Sequence, residues 1–113
     1  MNRLRFNWRN IERAPDDAIG VYSIWTRRVC IYVGKTDKQN LRSRLRQHYR
    51  NSHNESLRLW VNSSHVLWFS YEVIGNDMAI AAIERNRIKQ YAPLTNVLLR
   101  KKETQYGLDN TRL

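Results

Sequence analysis

Gly20-Val21-Tyr22-Ser23-Ile24-Trp25-Thr26-Arg27-Arg28-Val29-Cys30-Ile31-Tyr32-Val33-Gly34 is the stretch that decides the fold. In its first half Val21, Ser23 and Trp25 alternate with Tyr22 and Ile24, which is the period of a β-strand. Residues 29–34 form a near-continuous apolar run rich in β-branched and aromatic side chains, a second strand. Arg27-Arg28 leaves room only for a tight connection, so an antiparallel hairpin is the simplest pairing. Each strand carries one tyrosine and one glycine.

The rest of the chain builds around this hairpin. Residues 1–18, with Trp8, Ile11, Pro15 and Asp16-Asp17, read as an irregular or short helical lead-in. Residues 35–40 are a polar loop, and Asn40 suits a helix N-cap. A helix over residues 41–50 buries Leu41, Leu45 and Tyr49 at i, i+4, i+8. Arg44 and His48 border that face, while Arg42, Arg46 and Arg50 make a separate stripe. After a break at 51–54, residues 55–61 form a second, short helix. Residues 66–74 read as a third strand, with Leu67, Phe69, Tyr71 and Val73 on one side. Gly75-Asn76-Asp77 is a turn with a capping residue. A helix over 78–90 places Ile80, Arg87, Ile88 and Tyr91 on one arc with Glu84 inside it. Ala92-Pro93 ends that helix, and a loop over 94–99 contains Asn96. The tail from Arg100 is polar.

The expected class is α/β in the α+β sense: a small, mainly antiparallel sheet of about three strands flanked by helices. The length of 113 residues suits one domain with one core, centred on residues 19–97.

Lysine and arginine number 20 against 10 aspartates and glutamates, a formal net charge of +10. That excess on a small chain points to a polyanionic partner, most often nucleic acid. Cys30 is the single cysteine, so no intrachain disulfide forms, and no Cys/His cluster has zinc spacing. No stretch approaches the roughly 20 apolar residues of a membrane span, and residues 1–5 lack the apolar core of a signal peptide. The cytoplasm is the expected compartment.

Gly20-Val21-Tyr22 and Tyr32-Val33-Gly34 resemble the two signature strands of the GIY-YIG nuclease family. The resemblance extends to Lys35-Thr36 after the second glycine, to Arg44-Leu45 followed by His48, and to Glu84 with Ile88, Pro93 and Asn96 behind it. It covers residues 19–97 and is nearest to the nuclease domain of the bacterial excision-repair incision subunit. A histidine one turn after the arginine also resembles small restriction enzymes of the family. Of Arg42 and Arg44, Arg44 is the expected family arginine because it borders the apolar face.

The resemblance implies a metal-dependent endonuclease that cuts a DNA phosphodiester by water attack, leaving a 5′-phosphate and a 3′-hydroxyl. Glu84 would hold one Mg²⁺ (or Mn²⁺). A single carboxylate suits Mg²⁺, which keeps several waters and also takes substrate phosphate. The other reading of Glu84 is a surface pair with Arg87 at i+3. Arg44 offers a planar fork of donors to the scissile phosphate. One of Tyr22 and Tyr32 would take a proton from water and the other position water or phosphate; Tyr22 is the expected base. Its ionisation at neutral pH costs about 4 kcal/mol, which Lys35 or Arg44 nearby would reduce. His48 would relay a proton or contact phosphate; otherwise it is a partly buried histidine bonded to a neighbour. Asn96 would tie the active-site loop together through its amide. Arg42, Arg46, Arg50 and Lys35 are the expected contacts to DNA, most simply double-stranded. A non-catalytic binding module on the same scaffold and an RNA nuclease are the competing readings. Target choice would come from this small domain, from a protein partner or from a homodimer.

Overall fold

The computed structural model describes residues 2–96. Val97 and everything after it, including the expected tail, lie outside the described residues. The chain runs β1 (Leu4–Arg5), α1 (Trp8–Ile11), β2 (Gly20–Trp25), β3 (Cys30–Lys35), α2 (Leu41–Asn51), α3 (Glu55–Val61), β4 (Trp68–Val73) and α4 (Asp77–Tyr91). The strands form one sheet in the order β1-β4-β2-β3, with every pairing antiparallel.

The hairpin is the centre of the molecule. Strand β2 lies between β3 and β4, so its alternation is buried on both sides. Tyr22 and Ile24 enter one cluster with Ile31, Leu41, Leu45, Leu57 and Phe69. Val21 and Trp25 enter the other with Cys30, Val33, Ile80 and Ile88. Helices α1, α2 and α3 therefore cover one face and α4 the other. Ser23, the polar residue in this strand, bonds Ser70 Oγ at 2.8 Å and accepts from Trp25 Nε1 at 2.8 Å. Burial of its hydroxyl is thereby compensated. The pairing slips between Ile24 and Trp25, where Tyr32 and then Cys30 are the partners and Ile31 is passed over. Such a bulge re-aims the neighbouring side chains.

The caps fall where short polar side chains were available. Asn40 accepts from Ser43 N at 2.8 Å, Asn54 from Leu57 N at 2.9 Å and Asn76 from Met78 N at 2.9 Å. Each satisfies a backbone donor that the first helical turn leaves open. Helix α4 stops at Ala92, which takes a left-handed φ of 46°, ahead of Pro93.

Three expectations need adjusting. The lead-in contributes a fourth strand, β1, which pairs Leu4 with Phe69 and Arg5 with Trp68. A two-residue strand is too short to show a period. The third strand is narrower than residues 66–74: the ladder runs Trp68–Val73, and Leu67 and Ile74 each make only a single backbone bond beyond it, to Phe6 and Ile19. Arg87 leaves the apolar arc of α4 and bonds Glu72 on β4. Among the described residues no helix is long and apolar enough to cross a membrane.

Candidate active site

The C-terminal end of β3, the loop after it, helix α2 and helix α4 converge on a cleft of about 360 Å³. Tyr32, Lys35, Thr36, Asp37, Lys38, Gln39, Arg44 and Glu84 line it. Four expected site residues, Tyr32, Lys35, Arg44 and Glu84, thus meet in one place from three separate elements.

Close backbone approach makes this convergence possible. A Cβ on Gly34 would sit 2.3 Å from the Tyr22 hydroxyl and 2.8 Å from the Tyr32 ring. A Cβ on Gly20 would sit 1.9 Å from the Glu72 carbonyl oxygen. Only glycine fits at either position. Thr36 locks the two signature strands together where they end. Its Oγ1 accepts from Gly20 N at 2.9 Å and its N–H donates to Gly20 O at 2.9 Å.

Tyr22 does not reach the cleft. It is 1% exposed, and its hydroxyl lies 2.6 Å from His48 Nε2 and accepts from Arg44 Nε at 3.4 Å. Burial pushes this phenol well above its ordinary pKa, against the pull of Arg44. Tyr32 stands in front of it, half-buried and facing the cleft, with ring centroids 6.0 Å apart. Burial raises its pKa too, while Arg44 and the Tyr22 hydroxyl hold it down.

His48 is buried, and burial, aided by Arg44 and His53, pulls its pKa down to about 3. It is neutral at physiological pH and has no access to a phosphate in the cleft. Arg44 is also braced by Gln47 Oε1 at 3.1 Å.

Glu84 is half-buried. Burial raises its carboxyl pKa, while Lys35 and Arg44 counteract. Among the described residues it forms no ion pair. The expected i+3 partner, Arg87, is committed to Glu72 through Nε at 2.8 Å and Nη2 at 2.7 Å. A carboxylate lining an open cleft beside Lys35 and Arg44 fits a hard divalent cation whose remaining ligands would be waters and phosphate oxygens. No group of three or more His, Cys, Asp or Glu side chains among the described residues offers a closed protein cage. The site therefore suits a metal that keeps most of its water.

Asn96 clamps the edge of β3. Its Oδ1 accepts from Val33 N at 2.8 Å and its Nδ2 donates to Val33 O at 2.7 Å. Thr95 N and Oγ1 both donate to Ile31 O, at 2.8 and 2.6 Å. The backbone is thus pinned on both sides of Tyr32.

The arginine stripe lies elsewhere on α2, against the lead-in. Arg42 Nε donates to Ala14 O at 2.8 Å, and its guanidinium meets Asp16 at 3.4 Å. Arg46 makes a two-point pair with Glu12. Arg50 is exposed at the helix end, its guanidinium 4.7 Å from the Trp8 ring centre. Ser52, Asp37 and Gln47 join or support the site without having been singled out, and Thr36 had been noted only as part of the motif after Gly34. Ser52 carried a weak signal: it follows His48 by one turn, and its Oγ lies 2.7 Å from His48 Nδ1.

The family model for the UvrC-like GIY-YIG domain matches residues 18–97. UvrABC system protein C of Caldanaerobacter subterraneus subsp. tengcongensis is 40% identical over 70 residues, covering 62% of this chain and 11% of that protein. The homologue from Alkaliphilus metalliredigens is 35% identical over 74 residues, 66% of this chain and 12% of the other. The chain thus spans about a tenth of the length of these curated relatives. Among solved structures, the N-terminal GIY-YIG endonuclease domain of UvrC from Thermotoga maritima superposes with a TM-score of 0.60 when bound to magnesium. That match has 27% identity and covers 80% of this chain and 100% of that one. A point mutant of the same domain, bound to its catalytic divalent cation, gives a TM-score of 0.62 at 29% identity over 79% of this chain and 92% of that one. The matched span includes both signature strands, the helix with Arg44 and the helix with Glu84, so this chain belongs to the UvrC-like GIY-YIG domain family.

Proposed function

We propose that this domain is a divalent-cation-dependent endonuclease that hydrolyses DNA phosphodiesters. The observation that carries the reading is the meeting of Tyr32, Lys35, Arg44 and Glu84 in one water-accessible cleft. The Thermotoga maritima domain bound to its catalytic divalent cation supports it.

Glu84 would hold Mg²⁺, or Mn²⁺ in its place. When bound, the cation supplies Lewis-acid stabilisation of charge on the phosphate and the leaving oxygen. Arg44, fixed by Tyr22 and Gln47, presents its donors to the scissile phosphate. Lys35 adds a second positive charge at the cleft. Water attacks phosphorus, the bond to the 3′-oxygen breaks, and the 5′-phosphate stays on the other fragment. The water proton goes to a tyrosine, and the departing 3′-oxygen takes a proton from solvent.

Geometry favours Tyr32 over Tyr22 as the proton acceptor, reversing the expectation from sequence. A base has to lie within hydrogen-bond reach of its water. Tyr32 faces the cleft, and Tyr22 is enclosed behind it. Tyr22 then acts as the group that holds Tyr32 and Arg44 in place. Arg50 and Lys35 remain the best placed of the expected cations to follow a DNA backbone. Arg42 and Arg46 add charge while fastening the lead-in. The relatives are named for a UvrABC system, so a protein partner is one source of target choice and a homodimer another.

Nicking of supercoiled plasmid with and without Mg²⁺, with a labelled RNA run alongside, tests the reading. Mg²⁺-dependent conversion to nicked or linear DNA supports it. Binding without cleavage points to a non-catalytic module, and faster RNA breakdown to an RNA nuclease.

A further inference from the structure

A line of buried hydrogen bonds leads from the turn after α2 toward the cleft. Ser52 Oγ is 2.7 Å from His48 Nδ1, and His48 Nε2 is 2.6 Å from the Tyr22 hydroxyl. Exposures along it are 1% for Ser52, 3% for His48 and 1% for Tyr22. Water cannot repair a mismatched donor here, so each hydrogen has to be assigned within the protein.

The assignment starts at Ser52. Asn54 N–H, which can only donate, points to Ser52 Oγ at 3.2 Å. The serine hydroxyl hydrogen then needs its own acceptor, and His48 Nδ1 is the one in reach. A neutral imidazole that accepts at Nδ1 carries its hydrogen on Nε2. His48 Nε2–H therefore donates to the Tyr22 oxygen, which also accepts from Arg44 Nε. Both lone pairs of that oxygen are filled. The remaining hydrogen of Tyr22 has to leave in another direction, and the neighbouring phenol is Tyr32.

We propose that Ser52 is a positioning residue that sets the direction of this chain, Ser52 to His48 to Tyr22 to Tyr32, by holding His48 in the Nε2–H tautomer. Along Ser52, His48 and Tyr22 each hydrogen then points toward the cleft, while Arg44 Nε–H meets the Tyr22 oxygen from the cleft side. Developing negative charge on Tyr32 is met by a hydroxyl hydrogen, and charge on Tyr22 by two N–H groups. His48 serves as a donor in this arrangement and takes no proton from Tyr22. The turn that holds Ser52 is itself fixed: Asn54 Nδ2 donates to Thr95 O at 2.9 Å and Arg58 Nη1 to Ser52 O at 3.3 Å. The catalytic consequence rests on the reading of Tyr32 as the base, whereas the tautomer does not.

The test is ¹⁵N NMR of the histidine rings in the full chain at neutral pH, with the His48 signals assigned by their loss in His48→Gln. The expected spectrum shows Nε2 protonated and Nδ1 bare. Hydrogen on Nδ1 would overturn the proposal, whatever the nuclease assay gives. Ser52→Ala should populate both tautomers and lower kcat about 10- to 100-fold, as loss of an orienting partner does, with KM for DNA unchanged. Ser52→Thr keeps the hydroxyl and should restore the single tautomer and the rate. A Ser52→Ala protein with wild-type kcat and one tautomer would equally overturn it. A wild-type chain that cuts nothing would sink the nuclease reading, and the ring nitrogens would still decide the direction of the chain.

Discussion

Arg87 bonds Glu72 across to β4 and leaves Glu84, one turn earlier on the same helix, without its guanidinium. The consequence is chemical. Of two carboxylates near α4, Glu72 is neutralised in a two-point pair that lowers its pKa. Glu84 is partly desolvated with its pKa raised, and it faces the cleft. Desolvation without an ion pair is a cost to folding that a bound cation offsets.

Glu84→Gln should abolish Mg²⁺-dependent cleavage and leave DNA binding nearly intact. It should also stabilise the metal-free fold. The folded-state pKa of Glu84 is raised, so ionised Glu84 disfavours the native state above that pKa, and the penalty fades as pH falls through it. Thermal melts at pH 7 in chelator should therefore give the variant a Tm equal to or above wild type. Added Mg²⁺ should raise the Tm of wild type only.

Arg44→Ala should cost at least about 3 kcal/mol in the chemical step, the range for losing an oxyanion-type donor. Arg42→Ala should leave that step alone and cost about 0.5–1.5 kcal/mol of stability through the lost bond to Ala14 O. Single-turnover rates and urea melts on the two variants separate these effects; interchanged phenotypes would place the wrong arginine at the phosphate.

Tyr32→Phe should fall by about 10²–10⁴-fold, as expected for loss of a general base, and its rate should lose its dependence on pH. On the proposed mechanism the active form is the ionised Tyr32 phenol, whose pKa burial raises. The rate should therefore climb as pH rises through the neutral and mildly alkaline range, about tenfold per unit. Tyr22→Phe should be slower than wild type yet keep the rising limb. If Tyr22→Phe is the variant with the flat profile, the two tyrosines trade roles.

Gly34→Ala should inactivate the protein with only a modest loss of fold. The added methyl has to displace the Tyr22 hydroxyl, and with it the contacts to His48 and Arg44. Overpacking of this kind costs typically about 1–3 kcal/mol. A circular-dichroism melt beside a nicking assay would show a small drop in Tm and a large drop in rate.

The sequence carried the hairpin, the three larger helices and two of the N-caps, because periods of two and 3.6 and an asparagine before a helix are local signals. It carried the cleft residues Tyr32, Arg44 and Glu84 only through the resemblance to the GIY-YIG family, since as isolated residues they read as ordinary aromatic and charged positions. It did not carry what depends on distant pairing. β1 exists only because β4 has a free edge for Leu4 and Arg5. Arg42, Arg46 and Arg50 lie at regular spacing on one helix face, which resembles a phosphate track, yet Ala14, Glu12 and Trp8 meet them there. Which tyrosine faces the cleft was equally hidden, since it depends on how β3 ends against α2 and α4.

The clamp from Asn96 to Val33 joins positions 63 residues apart. Closing so long a loop makes it among the entropically slowest contacts to form. The hairpin and α2 can assemble from neighbouring segments on a growing polypeptide, whereas the backbone around Tyr32 acquires its last two restraints only when Asn96 has been synthesised. A partly made chain therefore holds the hairpin and α2 before the backbone on either side of Tyr32 is restrained.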